Sequence, residues 1–348
     1  MRATNRIVIV SLLLVAGVAT DARAQQGPDT AWVPNVARPA YAGGGPRVGI
    51  DEAHHNFHTA SGNYRPFATL LARDGYRVAA STQPFTRASL FAFDVLVIAN
   101  ARGGATLETV AEPAFTAAER AALRDWVRGG GSLLLVADHF PFGAATEALS
   151  LEFGVGMSKG YTFDSTATAR DQNPSFLRFT RENGLLGRHA IMDGRDAAER
   201  VSIVQTFTGQ SLTVPAGAAA LLRLSPTARD REPPTREELQ AQAAARQRMV
   251  DSLRAALRAG GGRDSTLVRA APMQLTGPQR FTSAAGRAQG VALAFGAGRV
   301  VVLGEAAMLS AQVVDLPGQP TIHMGMNIPG TDDQQFALNV MHWLSRLY

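Results

Sequence analysis

The chain has 348 residues, a formal net charge of +5 and no cysteine, so disulfide staples and thiol chemistry are both excluded. Lys159 is the only lysine among 34 basic residues, and no basic run alternates with aromatic residues, which argues against nucleic acid as a partner. A hydrophobic content of 46% is enough to bury a sizeable core, on which the fold must then rest.

Residues 1–24 place Arg2 and Arg6 ahead of a weakly polar run, Ile7 to Ala19, and close on Ala22-Arg23-Ala24. That is the order of a secretory signal peptide. The run is shorter than the roughly 20 residues a helix needs to cross a bilayer. An exported protein, periplasmic or extracellular, with no stable membrane insertion after cleavage is therefore expected. Residues 25–46 are rich in Pro, Gly and Ala without periodicity and read as a flexible leader.

From Arg47 the pattern changes. Val48-Gly49-Ile50 runs as a strand into Asp51, and a polar loop leads to Pro66, where Phe67, Leu70 and Leu71 form a helical stripe ending at Asp74-Gly75. Tyr76 to Ala80 reads as a second strand and Val95 to Ile98 as a third, continuous enough to be buried on both faces. Thr116 with Glu119 is a capping-box signature, and Leu123, Trp126 and Val127 make an apolar face before Gly129-Gly130-Gly131 ends that helix. The strand Leu133 to Val136 follows. Such alternation predicts an α/β domain over 47–348 with a mainly parallel sheet covered on both sides.

Val201 to Val214 and Ala218 to Leu224 read as strands. Residues 226–272 turn charged and Ala-rich, with Thr235 and Glu238 as a second capping box and Gly260-Gly261-Gly262 as a stop. This predicts a long helical insertion, whose 235–258 face meets solvent or a protein partner. Gly290 to Phe295 and Arg299 to Leu303 pair across Gly296-Ala297-Gly298. Phe336, Val340, Trp343, Leu344 and Leu347 make an amphipathic terminal helix whose start is marked by Thr331, Asp332 and Asp333.

In an open parallel sheet, ligands bind beyond the carboxyl ends of the strands. The residues delivered there are Asp51, Glu52, His54, His55 and His58 after the first strand, Asn100 and Arg102 after the third, Asp138 and His139 after the fourth, and Glu305 after the last. Glu52, His55, Asp138, His139 and Glu305 are the candidates for proton transfer, and Asp51, His54, Asn100, Arg102 and His323 for holding a ligand. His323 lies in a Gly/Pro-rich loop, Pro317 to Pro329. His54, His55, His58 and His139 are the candidate ligands of a divalent metal, although their order does not match His-Glu-x-x-His. Asp51 and Asp138, at strand ends, also suit bonds to local backbone donors. A Gly-x-Ser-x-Gly elbow, a phosphate loop at Lys159-Gly160 and a Gly-x-Gly-x-x-Gly turn are all absent.

Ile50-Asp51-Glu52-Ala53-His54, Asp94 to Ile98, Gly129 to Leu134, His189-Ala190-Ile191, Gly298 to Glu305 and Phe336 to Leu344, in that order, resemble the class I glutamine-amidotransferase-like superfamily. The match is to its branch of gliding-motility and intraflagellar-transport domains. The resemblance implies a three-layer α/β/α, flavodoxin-like domain. It also implies a nucleophilic Cys in the turn after a central strand, where this chain has Asp138-His139, so the amidotransferase thiolate is missing. Similar trehalose-utilisation proteins point to sugar-related ligands. Two functions follow: an exported module that binds a polar small molecule, a carbohydrate or a protein at this edge, or a hydrolase that uses the same His and carboxylate groups, with or without a metal.

Overall fold

The computed structural model describes residues 25–106, 108–166, 170–171, 173–259, 279–315 and 321–348. Residues 1–24, where a signal peptide is expected, the Gly260-Gly261-Gly262 stop and residues 317–320 of the Gly/Pro-rich loop lie outside them. In chain order the elements are β1 (Gln25–Pro28), β2 (Arg47–Asp51), α1 (Arg65–Arg73), β3 (Arg77–Ser81), α2 (Arg87–Leu90), β4 (Val95–Ala99), α3 (Ala117–Arg128), β5 (Ser132–Val136) and α4 (Phe142–Ser150). Next come β6 (Tyr161–Phe163), β7 (Arg170–Asp171), β8 (Asn173–Thr180), α5 (Ala190–Asp193), β9 (Ile203–Phe207), β10 (Ala219–Arg223), β11 (Arg229–Arg231) and α6 (Arg236–Ala259). The chain closes with β12 (Phe281–Ser283), β13 (Ala288–Phe295), β14 (Gly298–Leu303), β15 (Ala311–Asp315), β16 (Ile322–Gly325) and α7 (Asp333–Leu344).

The main sheet has seven strands in the order β10-β13-β14-β5-β4-β2-β3. From β14 to β3 every pairing is parallel, while at one edge β13 pairs antiparallel with β14 and β10 antiparallel with β13. This is a mixed α/β fold on a mainly parallel sheet. Its inner strands read as unbroken apolar runs because both faces are buried. Val95, Val97 and Ala99 join Phe67, Leu70 and Leu71 of α1 and Phe336, Val340 and Leu344 of α7 in one core cluster. The alternate residues Leu96 and Ile98 join Leu123 and Val127 of α3 in a second cluster. The period of two along each strand divides the core this way.

The helix starts follow their sequence signals. Pro66 opens α1, and α3 carries a complete capping box in which Thr116 Oγ1 accepts from Glu119 N at 3.3 Å and Glu119 Oε2 accepts from Thr116 N at 3.0 Å. The box at the start of α6 closes the same way, Glu238 N donating to Thr235 Oγ1 at 3.1 Å.

Four expectations need correction. The stretch read as a flexible leader lies along the domain: β1 pairs antiparallel with β15, and Trp32, Val36 and Tyr41 pack on the core. Their apolar side chains outweigh the Pro/Gly composition around them. The strand expected over Val201 to Val214 is only β9, and Thr208 with φ 53° takes the chain out of extended geometry. The insertion starts later than 226, because Arg229–Arg231 forms β11 in a three-stranded sheet β12-β11-β6, and α6 lies in a unit, Pro234–Gln279, separate from the one that holds every strand. Asp332 makes no side-chain cap on α7; its Oδ2 accepts from Ser202 N at 2.6 Å and Ile203 N at 3.0 Å, tying β9 to the helix start. Among the described residues no helix is long and apolar enough to cross a membrane.

Candidate functional site

The carboxyl ends of β14, β5, β4 and β2 are neighbours in the sheet, and they bring Glu305, Asp138, Asn100 and Asp51 into one row. β5 is the middle strand of the seven, so the Asp138-His139 turn stands at the centre of the edge. Asn100 and Asp138 bond reciprocally: Asn100 Nδ2 donates to Asp138 Oδ2 at 2.7 Å, and Asp138 N donates to Asn100 Oδ1 at 2.9 Å. Asn100 reaches this geometry with a left-handed backbone, φ 49°, a conformation Asn tolerates better than most residues. Asp138 Oδ1 accepts from Ala306 N at 3.0 Å, while Glu305 accepts from Ala307 N at 2.7 Å and Met308 N at 2.8 Å.

Burial dominates the electrostatics of this pair. It pushes Asp138 up to about 7 against the opposing bonds from Asn100 and Ala306. Glu305 is raised well above the usual carboxylate range, first by burial and then by the charge of Asp138. Tyr64, fully buried, donates from its hydroxyl to Ala306 O at 3.0 Å, next to Glu305.

His139 follows. Its Nδ1 lies 2.7 Å from the Phe140 carbonyl and its ring stacks on Tyr161 of β6, with centroids 4.0 Å apart and planes at 25°. Burial lowers it to about 4, so the imidazole is neutral; with Nδ1–H donated to the carbonyl, Nε2 is left as an acceptor. Beneath the turn, buried Gln210 donates from Nε2 to the carbonyls of Ala137 at 2.8 Å and Asp138 at 3.0 Å and accepts from Lys159 N at 2.8 Å. A Cβ at Gly143, in the first turn of α4, would come within 2.5 Å of the Gln210 side chain, which is why glycine stands there.

After β2, fully buried Asp51 holds His54 Nδ1 at 2.9 Å and Asn56 Nδ2 at 3.0 Å. The other ring nitrogen, Nε2, meets Glu119 Oε1 at 3.0 Å, so the capping residue of α3 also closes a carboxylate–imidazole–carboxylate chain. Burial alone would lower His54, but Asp51 and then Glu119 outweigh it and the pKa is raised; Glu119 falls to about 2, its bonds to His54 and Thr116 overcoming burial.

The other sequence candidates serve the loops. Glu52 Oε1 accepts from Ala60 N at 2.9 Å, and Arg102 Nε donates to the His55 carbonyl at 2.6 Å. His55 is exposed with φ 49°. His58 is buried and stacks on Tyr64 at 4.6 Å. His323, on β16, meets Asn327 Nδ2 at 3.1 Å and faces Asp29 at 3.7 Å rather than joining the row. Among the described residues no group of three or more His, Asp or Glu side chains converges as metal ligands. The metal candidates part because His54 is held between two carboxylates, His55 points to solvent, His58 is sealed under Tyr64 and His139 stacks on Tyr161. Glu119, Tyr64, Tyr161 and Gln210 were missed in the sequence; only Glu119 carried a signal there, and that signal was for capping.

No protein-family model and no curated protein matches the chain. Among solved structures, the N-terminal domain of mmIFT52 is similar at 12% identity and a TM-score of 0.51, over 86% of this chain and 97% of that domain. A ThuA-like protein of Bacteroides uniformis aligns at 11% identity and a TM-score of 0.40, over 88% of this chain and 95% of that one. A cytoplasmic protein of Salmonella typhimurium aligns at 10% identity and 0.41, over 86% and 98%. The likeness to the mmIFT52 domain is one of fold.

Proposed function

We propose that this is an exported binding protein, built on a three-layer, flavodoxin-like domain of the gliding-motility and intraflagellar-transport branch, that holds a neutral, hydroxyl-rich small molecule or carbohydrate at the carboxyl edge of the sheet. The observation that carries the reading is the pairing of a neutral His139, stacked on Tyr161, with an Asp138 carboxyl raised to about 7. Such an edge offers an acceptor nitrogen beside a buried carboxyl, and an aromatic wall, which suits hydroxyl groups on a partly apolar frame.

Binding is favoured over hydrolysis because the groups that would act as acid or base are engaged by the fold. Asp138 is held by Asn100 and Ala306, Glu305 by two backbone amides, His54 by two carboxylates, and Glu52 by Ala60. Isothermal titration calorimetry against a panel of neutral mono- and oligosaccharides tests this. His139→Ala and Tyr161→Ala should each weaken binding about tenfold, the loss of one good polar or stacking contact. Turnover of a glycoside, ester or amide that disappears in His139→Ala would overturn the binding assignment.

A further inference from the structure

The small sheet β12-β11-β6 has a face of which only Tyr161 also takes part in the stack on His139. Its register places Tyr161 opposite Arg231 and Arg231 opposite Phe281, and Phe163 opposite Arg229 and Arg229 opposite Ser283. Directly opposed residues point to the same side, so Tyr161, Phe163, Arg229, Arg231, Phe281 and Ser283 share one face. The other side is the inner one: Thr162 and Asp230 are buried there, and Asp230 accepts from Thr162 Oγ1 and Ser211 Oγ, both at 2.5 Å. On the outer side Arg229, Phe281 and Ser283 are exposed, and Tyr161, Phe163 and Arg231 are half-buried.

Two features make this face a recognition surface. Neither Arg229 nor Arg231 meets a carboxylate among the described residues, since Asp230 points inward and Glu232 is held by Arg280 Nε at 3.0 Å. Beside these free cations stand aromatic rings already ordered by contact: Phe163 meets Phe281 edge to face at 5.3 Å and 71°, and the Arg229 guanidinium lies 5.5 Å over the Phe281 ring. Guanidinium forks suit carboxylates, and exposed ring faces suit the C–H surface of a sugar.

We propose that this face binds an acidic saccharide of the uronic-acid type, with Arg229 and Arg231 on its carboxylates and Phe163 and Phe281 against its rings. Tyr161 belongs both to this face and to the stack on His139. The proposal goes beyond the crevice reading and stands without it. Single-stranded nucleic acid fits less well, because edge-to-face rings offer no run of parallel platforms for successive bases and two cations do not track a phosphate backbone.

The test is calorimetry on the full chain with oligogalacturonate, a neutral galactan oligomer of equal length and a single-stranded oligodeoxynucleotide. Oligogalacturonate should bind best, and the double variant Arg229→Gln/Arg231→Gln should weaken it at least about tenfold with an unchanged unfolding midpoint. Phe281→Ala should weaken it in the same direction. Equal binding by the double variant, or an oligonucleotide that binds as tightly as oligogalacturonate, overturns the proposal. Neutral-sugar binding, read in parallel, separates the two sites: retained in the double variant, it shows the loss to be confined to the face. Its absence in the wild type, with oligogalacturonate still bound, sinks the crevice reading alone.

Discussion

Two histidines four residues apart carry opposite electrostatics. His58 stacks under Tyr64 with its Nδ1 unpartnered, and burial lowers it to about 3 from an ordinary 6.5. The unfolded chain binds a proton at His58 below 6.5 while the folded chain resists it, so the stability this neutral ring contributes is present above 6.5 and is lost as pH falls toward 3. His54 behaves in reverse: its raised pKa contributes stability below 6.5 that is lost as pH rises through the folded value. His58→Phe keeps the stack and removes the buried unpaired nitrogen. Relative to wild type it should gain about 1.6 kcal/mol of stability on going from pH 6.5 to 5, the slope steepening toward about 1.4 kcal/mol per pH unit below 6.5. Urea unfolding at the two pH values measures this, and parallel stabilities in the two proteins would refute the assignment. The histidines were visible in the sequence as a cluster after the first strand. Their fates were not, because His54 is set by Glu119, a residue 65 positions away, and His58 by the packing of Tyr64.

Among the elements, β4 and β5 are legible because five consecutive buried residues leave an unbroken apolar run in each. β1, β6, β11 and β12 are not. Gln25-Gln26-Gly27-Pro28 has no apolar alternation and holds its place through backbone pairing with β15, and Arg229-Asp230-Arg231 alternates two charges, with only the middle one buried. The acidic start of α7 shows the same limit from another side. Asp332 stands where an N-cap is expected, but its carboxylate serves the amides of Ser202 and Ile203 instead. Asp332→Ala should therefore cost about 2 kcal/mol, the worth of charge-assisted bonds to backbone donors, and leave α7 formed. Hydrogen exchange locates the damage. Faster exchange at Ser202 and Ile203 with α7 amides unchanged is expected, whereas fraying of the first turn of α7 with β9 protected would restore the capping role.

Across the whole molecule, strand order does what no linear reading could. Asp51, Asn100, Asp138 and Glu305 are spread over most of the chain, and they meet because β2, β4, β5 and β14 lie side by side. The sequence showed that each strand ends in a polar residue; the adjacency of β14 to β5, across the whole middle of the chain, depends on long-range pairing that no local pattern encodes. The same view explains how a long helix is accommodated between β11 and β12. These strands pair directly, Arg231 opposite Phe281, and Glu232 N donates to Arg280 O at 2.9 Å, so the ends of the insertion are already joined by backbone bonds. Closing such a junction with fewer residues lowers the entropy cost of the loop, which changes by only about 0.6 kcal/mol per doubling of length. Replacing residues 234–279 with an Asn-Gly link should give a protein that unfolds cooperatively, within about 1 kcal/mol of wild type, with less helical circular dichroism. It should still bind oligogalacturonate through Arg229 and Arg231. A deletion variant that loses cooperative unfolding, or that folds but no longer binds oligogalacturonate, refutes this expectation.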